Sequence, residues 1–432
     1  MSTRFVNIDR DTPMLLPSDL REWVQHDDLV HFVVDALGLL DVSSASVNSR
    51  GTGSEQYPPG MMLGLLIYGY AQGLFSSRQL ERATYQNLSV RYLTANTHPD
   101  HDTIAKFRRE NAVLIRAAFV QLLRLAQAAG LVRLGAIALD GTKVGAATSK
   151  RQNLTCAQLQ AEIGRLDVQV AALLERAEAA DQSGETGGEL PEELAQAQQR
   201  RARLLAAKAQ LEQQTLARHQ QREEERDQAP PGGKRSRVEP QPKAQDRINL
   251  TDADSSLTRT RTGFIQGYNA QLAVSVDSGL IVAADVVRDA SDIKQLQPMV
   301  GQVIDHLGVP AQVLVDTGYE NVPQIQAVEA AHPTIVLCPP ARSGNANPAT
   351  RFKRPWRQRS KALREQMRQR LLTPMGKALY RLRKITVEPA IGIIKAALGF
   401  RSFRLRGLAK VRTEWILVSL ALNCRRLALR WN

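Results

Sequence analysis

The sequence predicts an α/β fold in which a mixed sheet flanked by helices follows an N-terminal helical domain and is interrupted by an inserted helical hairpin. Three observations support this prediction. Residues 1–130 place apolar side chains mostly at helical spacing. Short apolar runs of strand type lie at 134–140, 313–316 and 334–338. Between the first two runs, residues 159–216 show coiled-coil spacing. The 432 residues suffice for about two to four domains.

The N-terminal domain is predicted to consist of short helices. Apolar residues recur at helical spacing over 29–40, and Ser76 is typical of a residue that precedes a helix. A further helix follows the turn His98-Pro-Asp-His, with Asp102 as its expected N-cap. The two histidines of this turn offer an alternative interpretation as metal ligands, but the turn and the cap account for the cluster without a metal.

The insertion is predicted to be an antiparallel helical hairpin at 151–246. Its second arm covers 194–216, after a flexible break at 181–188. The charged stretch 220–246 is predicted to be a disordered or mobile return. Three roles stay open for the hairpin, namely dimerisation, DNA contact and support of the core. The heptad positions of its first arm are Leu159, Ile163, Leu166, Val170 and Leu173.

The core resumes with a predicted β-hairpin, whose strands at 266–276 and 280–287 are joined by the turn Asp277-Ser-Gly. A helix from Ser291, the strand that ends at Asp316, a helix at 322–331, another strand and a C-terminal helix follow. This order, with the helical hairpin inserted after the first strand, matches the ribonuclease H-like mixed sheet. The predicted domains are therefore 1–130, a core of 131–150 with 247–432, and the insertion at 151–246.

Positive charge is concentrated at the C-terminal end of the chain. The whole chain has a net charge of +14, whereas the last 82 residues hold 22 lysines and arginines against three acidic residues. Such an uneven distribution of positive charge predicts binding to nucleic acid or to an acidic membrane face, although a solvated basic tail is the simpler alternative. Neither a membrane-spanning run nor a signal peptide is visible. The three cysteines are isolated, which favours a reducing, cytoplasmic location.

Three acidic residues have contexts that suit metal-bound carboxylates. Asp140 and Asp316 each close an apolar strand-like run, and Glu388 opens a helical pattern within the basic region. Hard oxygen ligands from separate elements are what a two-metal phosphoryl-transfer site needs. Because Glu388 precedes Pro389, it is expected at a helix N-cap, where the helix dipole favours the ionised carboxylate. Taken singly, a strand-end aspartate is more often a turn residue than a ligand, so only the set of three supports the site.

One glycine-rich segment and six further aspartates do not belong to the predicted site. The segment from Gly135 to Lys143 has the wrong glycine spacing for a phosphate-binding loop and lies in a predicted strand, which excludes an ATPase. Asp292 resembles a helix cap after Ser291. None of the following is expected to be catalytic: Asp252, Asp254, Asp277, Asp285, Asp289 and Asp292.

Ordered segments along the whole chain resemble bacterial insertion-sequence transposases of the DDE type, in particular the subgroup with a coiled-coil insert between its two aspartates. Each segment is weakly specific, but together and in this order they are highly specific. They are Tyr57-Pro-Pro-Gly with Phe75-Ser-Ser-Arg, Pro99-Asp-His-Asp-Thr-Ile-Ala-Lys-Phe-Arg-Arg, Ala138-Leu-Asp-Gly-Thr-Lys, Thr262-Gly-Phe-Ile-Gln-Gly-Tyr-Asn-Ala-Gln, Asp316-Thr-Gly-Tyr-Glu-Asn, and Val387-Glu-Pro-Ala-Ile-Gly-Ile-Ile-Lys with Gly399-Phe-Arg.

The resemblance implies that Asp140, Asp316 and Glu388 bind two Mg²⁺ ions, with Mn²⁺ able to substitute, and that Asp140 bridges them. The family also has a Tyr-Arg-Glu-Lys signature, which Lys395 matches because it lies seven residues after Glu388. The upstream half departs, since Lys384 occupies the arginine position. The remaining DNA or phosphate contacts expected from the sequence are Tyr380, Arg381, Arg383, Arg401, Arg404 and Arg406.

The predicted function is metal-dependent cleavage and strand transfer of DNA at the ends of an insertion sequence. The predicted partners are the terminal inverted repeats and target DNA, with a homodimer or larger assembly on DNA and no membrane. The N-terminal helical domain is the better candidate for reading base edges, although it shows no clear helix-turn-helix. Two alternatives stay open: a non-catalytic DNA-binding protein derived from a transposase, and a nuclease that cuts without joining.

Overall fold

The computed structural model describes residues 18–48, 55–183, 190–227, 240–260, 263–340 and 355–431. The chain divides into two compact units. The first comprises Met1–Ala128 with Leu417–Asn432, and the second comprises Ala129–Ile416. The three-part domain division expected from the sequence stays a prediction.

The first unit is helical in its described residues. Its central helix, α3, is buried along nearly its whole length, as expected for a helix that is apolar on all sides. Its helices are α1 (Leu20–Trp23), α2 (Leu29–Leu39), α3 (Pro59–Ala71), α4 (Ser77–Gln86), α5 (Leu88–Leu93), α6 (His101–Glu110) and α7 (Ala112–Ala128).

Polar contacts connect the helices of the first unit. Asp28 caps α2 and accepts hydrogen bonds from the hydroxyl of Tyr68 on α3, at 3.2 Å, and from that of Ser89 on α5, at 2.7 Å. Arg108 is buried and donates to the Tyr70 hydroxyl at 2.8 Å and to the Phe75 carbonyl at 2.9 Å. These hydrogen bonds limit the cost of removing the polar groups from water, although Arg108 Nε is buried without a hydrogen-bond partner among the described residues.

The turn before α6 departs from the prediction in one respect. The N-cap is Asp100, whose carboxylate accepts from the Thr103 amide at 2.8 Å, so the assignment to Asp102 was wrong. Asp102 lies instead in the first helical turn. The two histidines of this turn have protein partners, because His98 bonds Thr84 at 3.1 Å and His101 bonds Glu81 at 2.9 Å.

The second unit is built on a mixed sheet. Strand β1 pairs antiparallel with β5 and parallel with β7, which in turn pairs parallel with β8. The far edge of β5 pairs with β4 along its first half and with β6 along its second half. The strands are β1 (Ala136–Gly145), β4 (Ser256–Thr260), β5 (Gly263–Ser275), β6 (Ile281–Val287), β7 (Gln312–Leu314) and β8 (Ile335–Leu337), while β2 (Asn153–Thr155) and β3 (Arg247–Asn249) form a separate small sheet.

Helices cover this sheet. Helix α10 contacts β5 and β6, and α13 contacts β1, β5 and β7. The predicted mixed sheet flanked by helices is confirmed, and its order agrees with a ribonuclease H-like core. The helices of this unit are α10 (Leu296–Leu307), α11 (Val322–Ala331), α12 (Pro355–Leu372) and α13 (Pro374–Gly392), which is followed by a π-helical turn at Ile393–Ala397. Helix α14 (Leu408–Trp431) begins in this unit, and its residues from Leu417 onward belong to the first unit.

The inserted hairpin consists of α8 (Cys156–Ser183) and α9 (Leu190–Asp227). Buried side chains at the predicted heptad positions of α8 pack against Leu204, Ala207 and Leu211 of α9. Helix α9 continues to Asp227, so the part of the predicted mobile return at 220–227 was wrong. The rest of that return at 228–239, and most of the predicted break at 181–188, lie outside the described residues.

Two further findings concern membrane-spanning helices and the cysteines. Among the helices of the described ranges, none combines the length and apolar character that a bilayer crossing requires. All three cysteines of the chain are buried and free: Cys156, Cys338 and Cys424.

Candidate active site

The register between β1 and β7 brings the two predicted aspartates together. In this parallel pair Ala138 lies opposite Leu314, where β7 ends. Asp140 lies two residues after Ala138, and Asp316 lies two residues after Leu314. Parallel neighbouring strands lie about 4.8 Å apart, so the two side chains leave adjacent backbones in the same direction. Asp316 therefore follows a strand end, as the sequence predicts.

Asp140 differs from the prediction, because β1 does not end there. The strand continues for five residues to Gly145, paired throughout with β5, and Asp140 lies opposite Leu272. The prediction that Asp140 ends its strand was therefore wrong. The pairing of β1 with β7 stops before Asp140, but its pairing with β5 continues. The carboxylate accepts from the Gly141 amide at 2.9 Å.

Glu388 lies inside α13, not at an N-cap, which corrects the prediction based on Pro389. The N-cap of this helix is Thr373, fifteen residues earlier. A proline inside a helix removes one backbone hydrogen bond and commonly bends or breaks the helix. Here the neighbouring Val387 and Ala390 are fully buried on the sheet side. Their packing overrides the local preference of the residue before proline, and the helix dipole argument for Glu388 no longer applies.

Arg383, five residues before Glu388 on α13, links the acids. Its Nη1 lies 3.3 Å from Asp140 Oδ2, and its Nη2 lies 3.7 Å from Glu388 Oε1. The arginine side chain is 8% exposed. Burial alone lowers the pKa of Arg383, but the negative charges of Asp140 and Asp316 outweigh this effect and raise it. The guanidinium is thus a permanent positive charge at the centre of the three acids.

The Asp140 carboxyl lies in an unfavourable place for a negative charge. Burial raises its pKa to about 6, and the nearby charge of Asp316 acts in the same direction, although Arg383 partly opposes both. Desolvation of a carboxylate without full compensation has this effect. An additional cation at this position would favour the ionised form.

Lys395 reaches the site from the π-helical turn after α13. Its ammonium donates to the Thr142 hydroxyl and to the Lys143 carbonyl, both at 2.6 Å. Both partners are neutral, and both belong to the segment of β1 just after Asp140. Burial lowers the pKa of Lys395, and the positive charge of Lys143 lowers it further. Such a cation, partly removed from water, is well suited to accept an anion such as a phosphate.

The remaining predicted phosphate contacts fall into two groups. Tyr380 is half-buried next to Arg383, and burial raises the pKa of its hydroxyl. The other predicted residues are exposed and lie outside the acidic centre. Two of them bond to the backbone of the site, Arg401 to the Lys395 carbonyl at 3.3 Å and Arg406 to the Ala147 carbonyl at 2.9 Å. The exposed set is Arg381, Lys384, Arg401, Arg404 and Arg406.

Sequence reasoning missed Asp292, which it assigned to a helix cap. Helix α10 begins only at Leu296 and its N-cap is Gln295, so that assignment was wrong. Asp292 Oδ1 accepts from Asn269 Nδ2 and from Gln271 Nε2, both at 2.7 Å. The sequence did hold a signal for this site: Asn269 and Gln271 are amide residues at alternate positions of β5. Residues at alternate positions point to the same face of a strand, and β5 is otherwise apolar.

The carboxylate oxygens of the site are of the right chemical type for divalent metal ions, but their spacing in the structure is less suitable. Carboxylate oxygens from β1, from the end of β7 and from α13 are the ligand type that Mg²⁺ prefers. Over the described residues, no three His, Cys, Asp or Glu side chains are already arranged to hold a metal. The Arg383 guanidinium lies between Asp140 and Glu388 and supplies the positive charge there. The desolvated Asp140 nevertheless fits a cation site.

Comparisons with known proteins show the family to which the chain belongs. The family model described as "Transposase DDE domain" matches residues 245–424, and the model described as "Transposase domain (DUF772)" matches residues 18–110. No match was found among curated proteins or among solved structures. The first match covers Asp316, Glu388, Arg383 and Lys395, and the second covers most of the N-terminal helical unit. The chain belongs to the insertion-sequence DDE transposases.

Proposed function

We propose that this transposase cleaves DNA at the ends of its insertion sequence and joins the freed 3′ hydroxyl to target DNA. Asp140, Asp316 and Glu388 are the catalytic carboxylates. The observation that supports this most directly is their convergence from three separate elements around the buried Arg383. A structural ion pair needs only one acid for one arginine, whereas three acids around one buried cation leave negative charge for further cations to neutralise.

The proposed cofactor is a pair of Mg²⁺ ions, with Mn²⁺ able to substitute. Asp140, Asp316 and Glu388 would hold them. When bound, such ions lower the pKa of an attacking water or hydroxyl and stabilise the leaving oxygen. The protein supplies three fixed carboxylates on a rigid sheet and helix, which is the arrangement that precise positioning requires.

The cationic side chains around the carboxylates bind the substrate backbone. Lys395, held by Thr142 and Lys143, lies where it can bind a phosphate next to Asp140. Arg383 and Tyr380 approach from α13 and contact the same phosphate region. The exposed residues Arg381, Lys384, Arg401, Arg404 and Arg406 bind phosphates farther along the duplex, where they contribute affinity but no sequence preference.

The proposed DNA partners are the terminal inverted repeats and the target. The N-terminal helical unit, which the second transposase match covers, is proposed to read the base edges of the repeats. Because both ends of the element must be joined, we propose that at least two copies of the chain assemble on DNA.

The test uses full-length protein, a duplex carrying the end of the element, and a supercoiled target. We expect Mg²⁺-dependent nicking and joining by the unchanged protein. Asp140→Asn, Asp316→Asn and Glu388→Gln should each reduce both by at least about 1,000-fold, because each removes a ligand of the metal ions. Asp277→Asn, at an exposed turn outside the site, is the matched control and should retain activity.

The same assay separates the alternatives. Specific binding of the end sequence without any cleavage by the unchanged protein would favour a non-catalytic DNA-binding protein. Cleavage without joining would favour a hydrolytic nuclease. Joining that persists in any of the three carboxylate variants would refute the site assignment.

A further inference from the structure

The side chain of Asp292 lies near Gly141 and Gly318, in the segments that follow the proposed catalytic residues Asp140 and Asp316. Gly141 directly follows Asp140, and a Cβ atom added to it would overlap Asp292 Oδ1. Gly318 lies two residues after Asp316, and a Cβ added there would be 2.9 Å from Asp316 Oδ1 and 3.6 Å from Asp292 Oδ2. Gly141 therefore leaves room for the Asp292 carboxylate, and near Gly318 the Oδ2 of Asp292 comes close to the Asp316 carboxylate.

Side chains from the middle of the sheet fix the orientation of Asp292. Oδ1 accepts from Asn269 and Gln271, and Lys143 Nζ lies 4.0 Å away. The Tyr319 hydroxyl donates to Gln271 Oε1, so Gln271 presents its amide nitrogen to Asp292. With Oδ1 occupied by these donors, Oδ2 is the oxygen that faces Asp316.

One donor of the buried Arg383 side chain is open to an acceptor at this centre. Arg383 is 7% exposed, and its Nε has no hydrogen-bond partner in the structure. A buried donor without a partner costs free energy, on the order of 1–3 kcal/mol. An acceptor oxygen of a bound group would remove this cost. The neighbouring acids are already engaged with the other two guanidinium nitrogens.

We propose that Asp292 is a fourth carboxylate of the active site and that its Oδ2 is an oxygen ligand of the divalent cations. This inference rests on the proposed function. The network of Asn269, Gln271 and Tyr319 then acts as the support that orients a metal ligand, in the way that outer-shell hydrogen bonds commonly do. It also gives a physical reason for the buried polar residues of β5 in an otherwise apolar strand.

The first experiment measures Mn²⁺ binding to the full-length protein by electron paramagnetic resonance, without DNA. We expect Asp292→Asn to weaken Mn²⁺ binding by about tenfold or more, since ligand and outer-shell changes typically cost 10- to 100-fold. The control is Asp289→Asn, which makes the same charge change three residues earlier at an exposed position. It should stay within about twofold of the unchanged protein, because it leaves the ligand set intact.

Three outcomes separate this inference from the proposed function. Weaker binding in Asp292→Asn but not in the control supports the inference. Unchanged binding in Asp292→Asn, together with weakened binding in Asp140→Asn, overturns it and leaves the proposed function intact. If the unchanged protein neither binds Mn²⁺ nor cleaves DNA, the proposed function fails and the inference fails with it.

A second variant keeps the test decisive if Asp292→Asn folds poorly. Asp292→Cys offers a thiolate, which binds softer metals better than it binds Mg²⁺. A ligand role predicts that its cleavage activity shifts from Mg²⁺ to Mn²⁺ by at least about tenfold relative to the unchanged protein. A purely structural role predicts that both metals support the same fractional activity, and that result would overturn the inference.

Discussion

Asp140 and Arg383 illustrate how single residues prepare the site before any substrate arrives. The continued pairing of β1 keeps the Asp140 carboxyl partly buried, and this burial raises its pKa to about 6. Arg383 offsets only part of this cost. A carboxylate that is costly to ionise in the metal-free protein gains more from a bound cation than an exposed one does. The same desolvation that lowers stability therefore favours metal binding.

The first prediction at this scale concerns pH. A carboxyl whose folded pKa lies above its unfolded value of 3.8 contributes stability that is complete below about pH 4. That contribution is lost as the pH rises through about 6. The loss is at most on the order of 3 kcal/mol. Asp140→Asn cannot ionise, so with EDTA present we expect it to be more stable than the unchanged protein at pH 8.

Urea unfolding at several pH values between 4 and 8 measures this difference. It should shrink toward pH 4, where Asp140 is protonated in the folded state and partly protonated in the unfolded state. Equal stability of the two proteins at pH 8 would contradict the desolvated state assigned to Asp140.

A second prediction concerns Gly141. Gly141→Ala places a methyl group where Asp292 Oδ1 lies, so the carboxylate must move. We expect DNA cleavage to fall by at least about tenfold and the free energy of unfolding to fall by about 1–3 kcal/mol, as for other overpacked sites. The control is Gly301→Ala on α10, which has open space around it and should gain about 0.5–1 kcal/mol in stability. A fully active Gly141→Ala would refute the tight placement of Asp292.

At the scale of elements, helix α13 and the inserted hairpin are stabilised in different ways. Helix α13 carries Glu388 and Arg383 onto the sheet and tolerates an internal proline, since its buried residues Val387 and Ala390 fix it there. The hairpin of α8 and α9 has its own small core, closed at its base by the strands β2 and β3. Its stability therefore depends on a few heptad side chains, whereas α13 depends on the main core.

The hairpin gives the third prediction. Leu166 is 2% exposed in the core of the hairpin, and Leu166→Ala should destabilise it by about 2–4 kcal/mol through the cavity it leaves. Val168→Ala on the same helix is the control, because Val168 is 72% exposed. Hydrogen exchange of residues 156–227 measures the local stability. Faster exchange in both variants, or in neither, would contradict the predicted hairpin core.

At the scale of the whole molecule, charge is the dominant property. The net charge of +14 arises from the C-terminal end, which also carries the proposed substrate contacts. Neutralising DNA phosphates releases bound counterions, so affinity falls with salt at a slope of about 0.9 per phosphate contacted. The exposed arginines after the π-helical turn should contribute to this slope and not to catalysis.

The fourth prediction follows from that division. Replacing Arg401, Arg404 and Arg406 together by glutamine should reduce the slope of log affinity against log salt by about 2–3. Fluorescence anisotropy over a salt series measures it. The matched control replaces the same three residues by lysine, which keeps the charge and should keep the slope. Equal slopes in the glutamine and lysine variants would exclude these residues from phosphate binding.

The sequence by itself determined the mixed sheet, the inserted hairpin and the family. These follow from periodicity, from turn residues and from ordered motifs, all of which are local in the chain. It also predicted the acids Asp140, Asp316 and Glu388, and the structure brings them around Arg383. Their metal-binding and catalytic roles stay predictions.

Only the tertiary structure decided how these residues are placed. The extension of β1 past Asp140 depends on pairing with β5, about 130 residues away, and the helical setting of Glu388 depends on burial that outweighs the preference before Pro389. Asp292 was missed because its neighbours, Asn269 and Gln271 on β5 and Gly141 on β1, are not adjacent to it in the sequence. Long-range packing can override local preferences because burial of a helix or strand face involves more free energy than a single cap or turn preference.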